Sequence, residues 1–349
     1  MVKAKVWVVA AAMSLVAFGA MASNFRVADQ VYVPIAGHVQ GGSSLFVSDI
    51  FISNLSPDPV TVSIIYGQKN GAGSYQKFAD RINLAVGERK EFIDFFPTVL
   101  PELSNPFGIL VFNGCKQGQV CTPDPNNGFT NPNFRQISVE SRIYAVPCVG
   151  TACAQSSPST AASNGQDMPG IPWYNFVSTD ATPLLSSVFV TGFRNNALYR
   201  SNLGVVNASQ FSSTQLQATL KDGSNGNTIG TPHIFNLPPL TFEQSNIAAL
   251  FSPPASAPTT NLYVDVQQLG STPVVGGPDD AVANGCNSGC PAFLTYGSVL
   301  DNQTNDPTTL EAQYKLGLTD VQIGCIYNPD IFTCAQKTAG KTLHRAVRH

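Results

Sequence analysis

Short segments in which apolar residues recur at every second position occur along most of the chain. Val60, Val62, Ile64 and Tyr66 form one of them, with mostly polar residues between. This period of two puts the apolar side chains on one face of a β-strand. About seven such strands are expected in each half of the chain. They cover residues 31–39, 45–53, 60–68, 81–84, 88–94, 108–113 and 136–145, then 187–192, 199–206, 214–221, 233–237, 241–246, 261–267 and 293–300. Residues 95–103 and 247–251 allow at most single helical turns.

The two halves of the chain are similar to each other. Residues 48–56 align without a gap on residues 201–209, an offset of 153. Three further segments extend the match at offsets of 153 to 155: residues 35–39 with 190–194, 60–66 with 214–220, and 83–84 with 236–237. A nearly constant offset over this length indicates an internal duplication.

These patterns predict an all-β protein made of two tandem immunoglobulin-like β-sandwich modules with local disulfides. A barrel or a jelly roll would give a similar pattern, so the strand topology stays open. The expected organisation is a signal peptide at 1–22, a first module at 23–155, a linker and aromatic segment at 156–177, a second module at 178–312 and a disulfide-bearing C-terminal extension with a basic tail at 313–349.

The N-terminus has the features of a secretory signal peptide. Lys3 and Lys5 precede an apolar run at residues 6–20, and the small residues Ala20 and Ala22 offer a cleavage site after Ala22. An uncleaved anchor helix is the alternative, but the run is shorter than the ~20 residues that a membrane span needs. We therefore expect a secreted or cell-surface protein without a transmembrane span.

The eight cysteines fall into four near neighbours. They are Cys115 with Cys121, Cys148 with Cys153, Cys286 with Cys290, and Cys325 with Cys334. Export and proximity favour four local disulfides, although eight cysteines do not fix the connectivity by themselves. A zinc site is the competing interpretation, but none of the spacings is C-x2-C and no histidine is close.

Charge is sparse and slightly acidic, since charged residues make up 12% of the chain. Removal of the signal would take two lysines and leave 17 basic and 22 acidic residues. This balance gives no electrostatic reason to bind nucleic acid. The abundant Gly and Pro, 29 and 25 residues, suit short strands joined by turns.

Several segments resemble a family of uncharacterised secreted bacterial proteins. They are residues 33–38 (VPIAGH), 45–49 (LFVSD), 141–144 (SRIY), 199–204 (YRSNLG) and 299–302 (VLDN), the last followed by Asp306-Pro307. The resemblance covers about residues 31 to 309. It implies export and tandem β-sandwich modules, and it brings no known activity.

Two candidate ligand sites carry alternative interpretations. Trp173, Tyr174 and Phe176 offer a sugar-stacking platform, or they pack between the two modules. Asp301, Asn305 and Asp306 supply oxygen ligands for calcium, or they build a turn by bonding their own backbone. Turn chemistry is favoured, because the segment lacks the spacing of an EF-hand loop.

Known catalytic motifs are missing from the sequence, so we expect no catalytic residues, no required cofactor other than the calcium just considered, and a protein that is not an enzyme. His38 and His233 are interpreted as polar surface histidines. Glu140, Asp265 and Asp301 are candidate carboxylates for a hydrolase, but nothing in the sequence pairs them. The expected function is structural or adhesive, through binding to a cell-envelope component, a polysaccharide or a partner protein. A carbohydrate- or calcium-dependent recognition module and an extracellular hydrolase of unfamiliar type are the alternatives.

Overall fold

The structure is a computed structural model, which describes residues 27–41, 44–69, 75–119, 121, 133–147, 164–172, 187–210, 212–272, 293–304 and 306–314. The predicted signal peptide, most of the predicted linker and all of the predicted C-terminal extension except residues 313–314 lie outside these residues. The predicted all-β class is confirmed. The two helices in the described part of the chain are single short segments of five residues each, too short to span a membrane.

The elements of the first unit are β1 (Gln30–Gly41), β2 (Ser44–Asn54), β3 (Val60–Gln68), β4 (Tyr75–Leu84), β5 (Arg89–Phe92), α1 (Phe95–Val99), β6 (Phe107–Lys116), β7 (Ile137–Pro147), β8 (Asn164–Pro169) and β9 (Ile171–Pro172). Those of the second unit are β10 (Ser187–Phe193), β11 (Tyr199–Asn207), β12 (Ser213–Asp222), β13 (His233–Leu237), β14 (Phe242–Asn246), α2 (Ile247–Phe251), β15 (Leu262–Thr272), β16 (Phe293–Asp301) and β17 (Pro307–Tyr314).

The nine strands of the first unit form one connected sheet that folds over into two layers. Layer A contains β5, β2, β7 and β8. Layer B contains β4, β3, β6, β1 and β9. Strand β1 joins the layers, because it pairs with β6 up to Gly37 and with β2 from His38 onward. A bulge between Val33 and Ala36 lies just before this change of layer, and bulges bend strands.

The second unit repeats this arrangement. Layer C contains β14, β11 and β16, and layer D contains β13, β12, β15 and β10. Here β17 joins the layers: residues 307–311 pair with β16 and residues 312–314 with β10. The immunoglobulin-like topology stays a prediction.

The period-two pattern places a separate apolar core between the layers of each unit. In β3, Val60, Val62 and Ile64 are fully buried in the first core, as the alternation predicts. In β12, Leu216 and Ala218 are fully buried in the second core in the same way. Each buried Val, Leu or Ile side chain contributes roughly 1.5–3 kcal/mol.

Pairs of residues that face each other in the first unit recur in the second. Phe51 lies opposite Glu140, and Gly204 lies opposite Tyr296. The two members of the second pair follow those of the first by 153 and 156 residues. Residues of β2 and β11 that are 153 positions apart in the sequence therefore occupy the same place in the hydrogen-bonded ladder.

The alignment of β1 with β10 at an offset of 155 is wrong. Val33 pairs with Leu110, and Val190 pairs with Val264. Since Leu110 and Val264 are 154 residues apart and occupy equivalent positions, Val33 corresponds to Val190, an offset of 157. The error is a shift of two residues. Such a shift preserves the alternation of apolar positions, so the pattern alone does not detect it.

Strands β8 and β9 lie inside the range that the sequence analysis expects to be a linker. β8 pairs with β7 along residues 164–169, and β9 pairs with the start of β1. Together they occupy the position that the single strand β17 occupies in the second unit. The segment 164–172 is therefore part of layers A and B of the first unit.

A buried asparagine holds the same corner in both units. The Asn54 side-chain amide donates to the carbonyl oxygens of Asp58, Leu84 and Ala85 at 2.8–3.4 Å. The Asn207 amide donates to three equivalent carbonyl oxygens, those of Ser212, Leu237 and Pro238, at 2.7–3.1 Å. Both side chains are fully buried. In both units the Asn of the shared Asn-x-Ser pattern thus ties together carbonyl groups of two separate segments.

One of the four predicted disulfides lies within the described residues, and it is confirmed. Cys115 on β6 is bonded to Cys121, with a Cα–Cα distance of 5.7 Å. The other three predicted pairs lie outside the described residues.

A third apolar cluster joins the two units, and we call it the joint. Its buried members are Tyr32, Ile35, Ile65, Ile109, Val111, Ile143 and Met168 of the first unit, and Val206, Ala208, Leu240, Phe242, Leu294 and Tyr296 of the second. The rings of Phe107 and Phe242 meet edge to face, with centroids 5.6 Å apart. Gly67 is required here, because a Cβ atom at this position would lie 2.1 Å from the Leu240 carbonyl oxygen. The outer face of layer B therefore packs against the outer face of layer C.

Candidate functional site

The outer face of layer A is open in the first unit, and we call it the open face. Ile50 and Ile52 of β2 point into the core, so the alternate residues Phe51 and Ser53, which are partly exposed, point outward. The equivalent face in the second unit is the layer C surface that is buried in the joint. The open face is therefore the part of the duplicated architecture that stays accessible.

A cleft of about 520 Å³ lies between the open face and β17 of the second unit. Three carboxylates line it: Glu140 of β7, Asp167 of β8 and Glu311 of β17. Four serine and threonine residues also line it, Ser138, Ser141, Thr308 and Thr309, together with Phe51. The Ser141 hydroxyl is itself buried and donates to the Met168 carbonyl oxygen at 2.7 Å. The cleft combines charged acceptors, hydroxyl groups and one aromatic ring.

Arg89 balances part of the negative charge at the edge of this cleft. Its guanidinium carbon lies 5.1 Å from the centroid of the Phe51 ring, and its Nη2 atom lies 3.3 Å from Glu140 Oε2. Both partners of this ion pair are partly exposed, so the pair contributes little to stability. The Arg89 guanidinium and the Phe51 ring therefore remain partly exposed to solvent.

Two hydrogen bonds fix the wall of the cleft across the two units. The Thr309 hydroxyl donates to the Asp167 carbonyl oxygen at 2.6 Å. The Ser298 hydroxyl donates to Gln166 Oε1 at 3.1 Å. Because Asp167 and Gln166 belong to β8 while their partners belong to the second unit, the cleft forms only when the two units are docked.

Behind this wall lies a network of titratable side chains, which we call the Asp49 cluster. Asp49 Oδ1 accepts hydrogen bonds from the Asp94 backbone N–H and the Tyr144 hydroxyl, each at 3.0 Å. His38 Nδ1 lies 2.8 Å from Asp94 Oδ1. The guanidinium carbon of Arg142 lies 4.9 Å from the centroid of the Tyr144 ring.

Burial sets the proton affinity of this cluster. It raises the pKa of Asp49 above the ordinary aspartate range, and the hydrogen bonds from Asp94 and Tyr144 oppose that rise only in part. Burial also raises the pKa of Tyr144, and the nearby Asp49 charge adds to the effect. The cluster thus holds a carboxyl group that binds a proton more readily than a solvated aspartate does.

The candidate residues from the sequence analysis have different outcomes. Trp173, Tyr174 and Phe176 lie outside the described residues, as does Asn305. Asp301 builds a turn, since its Oδ1 accepts from the backbone N–H groups of Gln303 and Thr304 at 2.7 and 3.0 Å. These hydrogen bonds lower the Asp301 pKa.

Asp306 closes the same turn through its backbone carbonyl oxygen, which accepts from the Asp301 N–H at 3.1 Å. No group of three His, Cys, Asp or Glu side chains placed to hold a metal occurs within the described ranges. A calcium site at Asp301, Asn305 and Asp306 stays a prediction.

The three candidate carboxylates for hydrolysis are not brought together. Glu140 lines the cleft, whereas Asp265 lies on β15 in layer D and Asp301 at the end of β16. His38 is also not the plain surface histidine that the sequence suggested, because its ring is about three-quarters buried and contacts Asp94.

Sequence reasoning missed Asp49, Asp167 and Glu311. A comparison of the repeats could have found part of the site, because Glu140 occupies the place of Tyr296 and is charged where its equivalent is apolar. Asp167 carried no such signal, since its strand β8 was taken for a linker, and Glu311 lies on β17, which was not among the predicted strands.

No protein-family model matches the chain, and no curated protein does. Solved structures with some similarity include a Bacteroides uniformis β-glucuronidase 2 (12% identity, TM-score 0.14), a biofilm-associated protein BSP domain (10%, 0.17) and the CupB6 tip adhesin from Pseudomonas aeruginosa (10%, 0.12). The alignments cover 80%, 83% and 81% of this chain, and 25%, 59% and 98% of those chains, respectively. The chain thus spans about a quarter of the glucuronidase and under two thirds of the BSP domain chain. With TM-scores this low, the similarities define neither the fold nor the activity.

Proposed function

We propose that the chain is a secreted or cell-surface binding protein with a structural or adhesive role. It attaches to a cell-envelope component, a polysaccharide or a partner protein through the open face and the adjoining cleft. No chemical step is required for this role. The immunoglobulin-like character of the two units belongs to the same proposal, since such sandwiches present binding surfaces on a rigid scaffold.

The observation that carries the proposal is the difference between two equivalent faces. Glu140, Ser138 and Arg89 on the open face correspond to Tyr296, Leu294 and Phe242 in the joint. The second-unit face is apolar and is covered in the joint, whereas the first-unit face carries charges and hydroxyl groups beside a cleft. A polar, concave surface is suited to a reversible interaction with a polar ligand.

The lining of the cleft indicates the chemistry of that ligand. Carboxylates and hydroxyl side chains accept hydrogen bonds from sugar hydroxyls or from ammonium groups. The partly buried Phe51 ring offers a surface on which a sugar ring or an alkyl chain packs. A hydroxyl-rich or amino-bearing polymer of the envelope therefore fits the cleft best.

The direct test is co-sedimentation of the mature protein with envelopes of its source cells. The cleft variant Glu140→Gln, Asp167→Asn, Glu311→Gln keeps the size of each side chain and removes three charges. We expect it to lose most of the retention that the native protein shows. Full retention by this variant would contradict the proposal.

A charge-matched control separates the cleft from the overall charge. The variant Asp80→Asn, Glu102→Gln, Asp222→Asn also removes three carboxylates, at positions outside the cleft. It is expected to sediment as the native protein does. Equal losses in both variants would indicate a non-specific charge effect, and a loss with chelator alone would favour calcium-dependent recognition.

Glycoside hydrolysis is a second candidate, because three carboxylates share the cleft. Such a reaction needs one carboxyl group as acid and a second as base or nucleophile. Release of a fluorophore from aryl glycosides by the native protein, and its loss in the Glu140→Gln variant, would support this candidate. Binding without turnover would favour the adhesive role.

A further inference from the structure

The Asp49 cluster does not line the cleft, yet it supports the strand that does. It connects four segments: His38 comes from β1, Asp49 from β2, Asp94 from the turn before α1, and Tyr144 from β7. Asp49 is 6% exposed and Tyr144 is 4% exposed. These side chains hold titratable groups within hydrogen-bonding distance of one another in a mostly buried place.

The equivalent place in the second unit has no titratable network. Asn202 takes the position of Asp49. Asn246 precedes α2 as Asp94 precedes α1, and it caps α2 in the ordinary way, with an extended backbone and a hydrogen bond from the Ala248 N–H. The chain can therefore build this corner without any ionisable group.

Asp94 departs from that ordinary arrangement. Its backbone is left-handed, with φ 50° and ψ 75°, and its side chain makes no cap hydrogen bond to α1. A residue other than glycine pays a conformational cost in this region. The contact of its carboxylate with His38 and the bond of its N–H to Asp49 hold it there.

The cluster reaches the cleft through Arg142 and Tyr144. Gly165, a lining residue of the cleft, packs directly on both: a Cβ atom at Gly165 would lie 2.6 Å from Arg142 Nε and 2.8 Å from Tyr144 Cβ. Asp167, two residues along the same strand, lies opposite Arg142 in the ladder. A change in the position of Arg142 or Tyr144 is therefore passed to β8.

We propose that the Asp49 cluster regulates the cleft by pH: proton uptake at Asp49 releases Arg142 and Tyr144 and shifts β8, so that ligand affinity falls in mild acid. This inference rests on the proposed binding role of the cleft for its consequence, but the switch itself requires no ligand.

The charges around Asp49 explain the direction. In the described part of the chain it is faced by Asp94 from the turn before α1, by Arg142 and Tyr144 from β7, with His38 of β1 beyond Asp94 and Asp167 of β8 beyond Arg142. A charged Asp49 attracts Arg142 and repels Asp94. When Asp49 is neutral, Arg142 loses that attraction, while Glu140 and Asp167, the carboxylates that share its face of layer A, both line the cleft.

The test is an NMR titration of the ligand-free, full mature chain. We expect the Asp49 carboxyl carbon and the amide group of Gly165 to titrate with one shared midpoint, above the ordinary aspartate range. In Asp49→Asn the titration of the Gly165 amide is lost. A Gly165 amide that titrates unchanged in Asp49→Asn, or that does not move while Asp49 titrates, would overturn the proposal.

Two further variants keep the test decisive. Tyr144→Phe removes a donor to the charged carboxylate, so the shared midpoint moves upward; an unmoved midpoint contradicts the proposal. Asn202→Asp adds a carboxyl group at the equivalent place in the second unit, and it must leave Gly165 unaffected.

For the native protein, retention on envelopes is expected to fall about fivefold across the midpoint, the scale of a typical coupling between sites. If the native protein binds no envelope at any pH, the binding role is refuted. The NMR titration then tests the pH response of β8 independently.

Discussion

The two units share one architecture, but they use the same surface in opposite ways. The outer face of β11, β14 and β16 is covered by the first unit and carries Val206, Phe242 and Leu294, all buried. The matching face of β2, β5 and β7 is open and carries Ser53, Arg89 and Ser138 at the equivalent ladder positions. The same position in the ladder thus accepts either an apolar or a polar side chain. Whether another unit covers the face decides which kind is found.

The largest expected effect concerns this pair of faces. Phe242→Ala leaves a cavity in the joint and should lower the free energy of unfolding by about 3–5 kcal/mol. Arg89→Ala, at the equivalent position of the open face, should change it by about 0.5 kcal/mol or less. Urea denaturation of both variants measures the difference. Similar losses would mean that the open face is also covered in the folded chain.

The next effect compares two corners that are built alike. Asn54→Ala and Asn207→Ala each leave three buried carbonyl oxygens without this donor, and each should cost about 2–3 kcal/mol. Because the hydrogen bonds are the same in both units, the two losses are expected to agree within about 1 kcal/mol. Thermal unfolding followed by circular dichroism gives both values. A large loss at only one corner would show that the buried asparagine contributes differently to the stability of the two units.

A smaller, pH-dependent effect separates Asp49 from Asn202. The raised pKa of Asp49 means that the folded state binds its proton more tightly than the unfolded state. Its contribution to stability is therefore present at low pH and lost as the pH rises through the folded-state pKa. Asp49→Asn should stabilise the protein at neutral pH by about 1 kcal/mol, the size of an ordinary substitution effect.

That gain in the Asp49→Asn variant should shrink as the pH falls. Asn202→Asp should show the mirror behaviour, with a loss at neutral pH that acid restores. Melting temperatures recorded from neutral to acid pH provide the measurement. A gain from Asp49→Asn that is independent of pH would refute this account.

The smallest expected effect on stability comes from the cleft itself. Glu140→Gln breaks a partly exposed ion pair with Arg89. The free energy of unfolding should therefore change by less than about 0.5 kcal/mol, and the melting temperature should change little. Its effect on envelope retention is expected to be much larger. Loss of both stability and retention would indicate that Glu140 holds the fold and not a ligand.

Most strands could be predicted from the sequence because apolar and polar residues alternate along them. Val60, Val62 and Ile64 are buried as their spacing predicts, because the pleat of a strand fixes which side chains share a face. Ile65 breaks the alternation and is also buried, since its outer face is covered by the second unit in the joint. At Ile65 the interruption of the period therefore marks the contact between the units.

The candidate site was less predictable. Glu140 was selected only as one of several unpaired carboxylates, while Asp167 and Glu311 were not considered. Their strands are far apart in the sequence, and a period of two gives no information on which outer faces meet. His38 illustrates the same limit, because its partner Asp94 is 56 residues away.

Local chemistry in the chain was sufficient for most of the strands, the helical turns and the Cys115–Cys121 bond, because each depends on residues that are close in sequence. Tertiary structure alone decided the pairing of β1, the inclusion of 164–172 in the first unit, and which of two equivalent faces is buried. Those outcomes depend on contacts between distant segments. A cleft built from β7, β8 and β17 exists only after such contacts have formed.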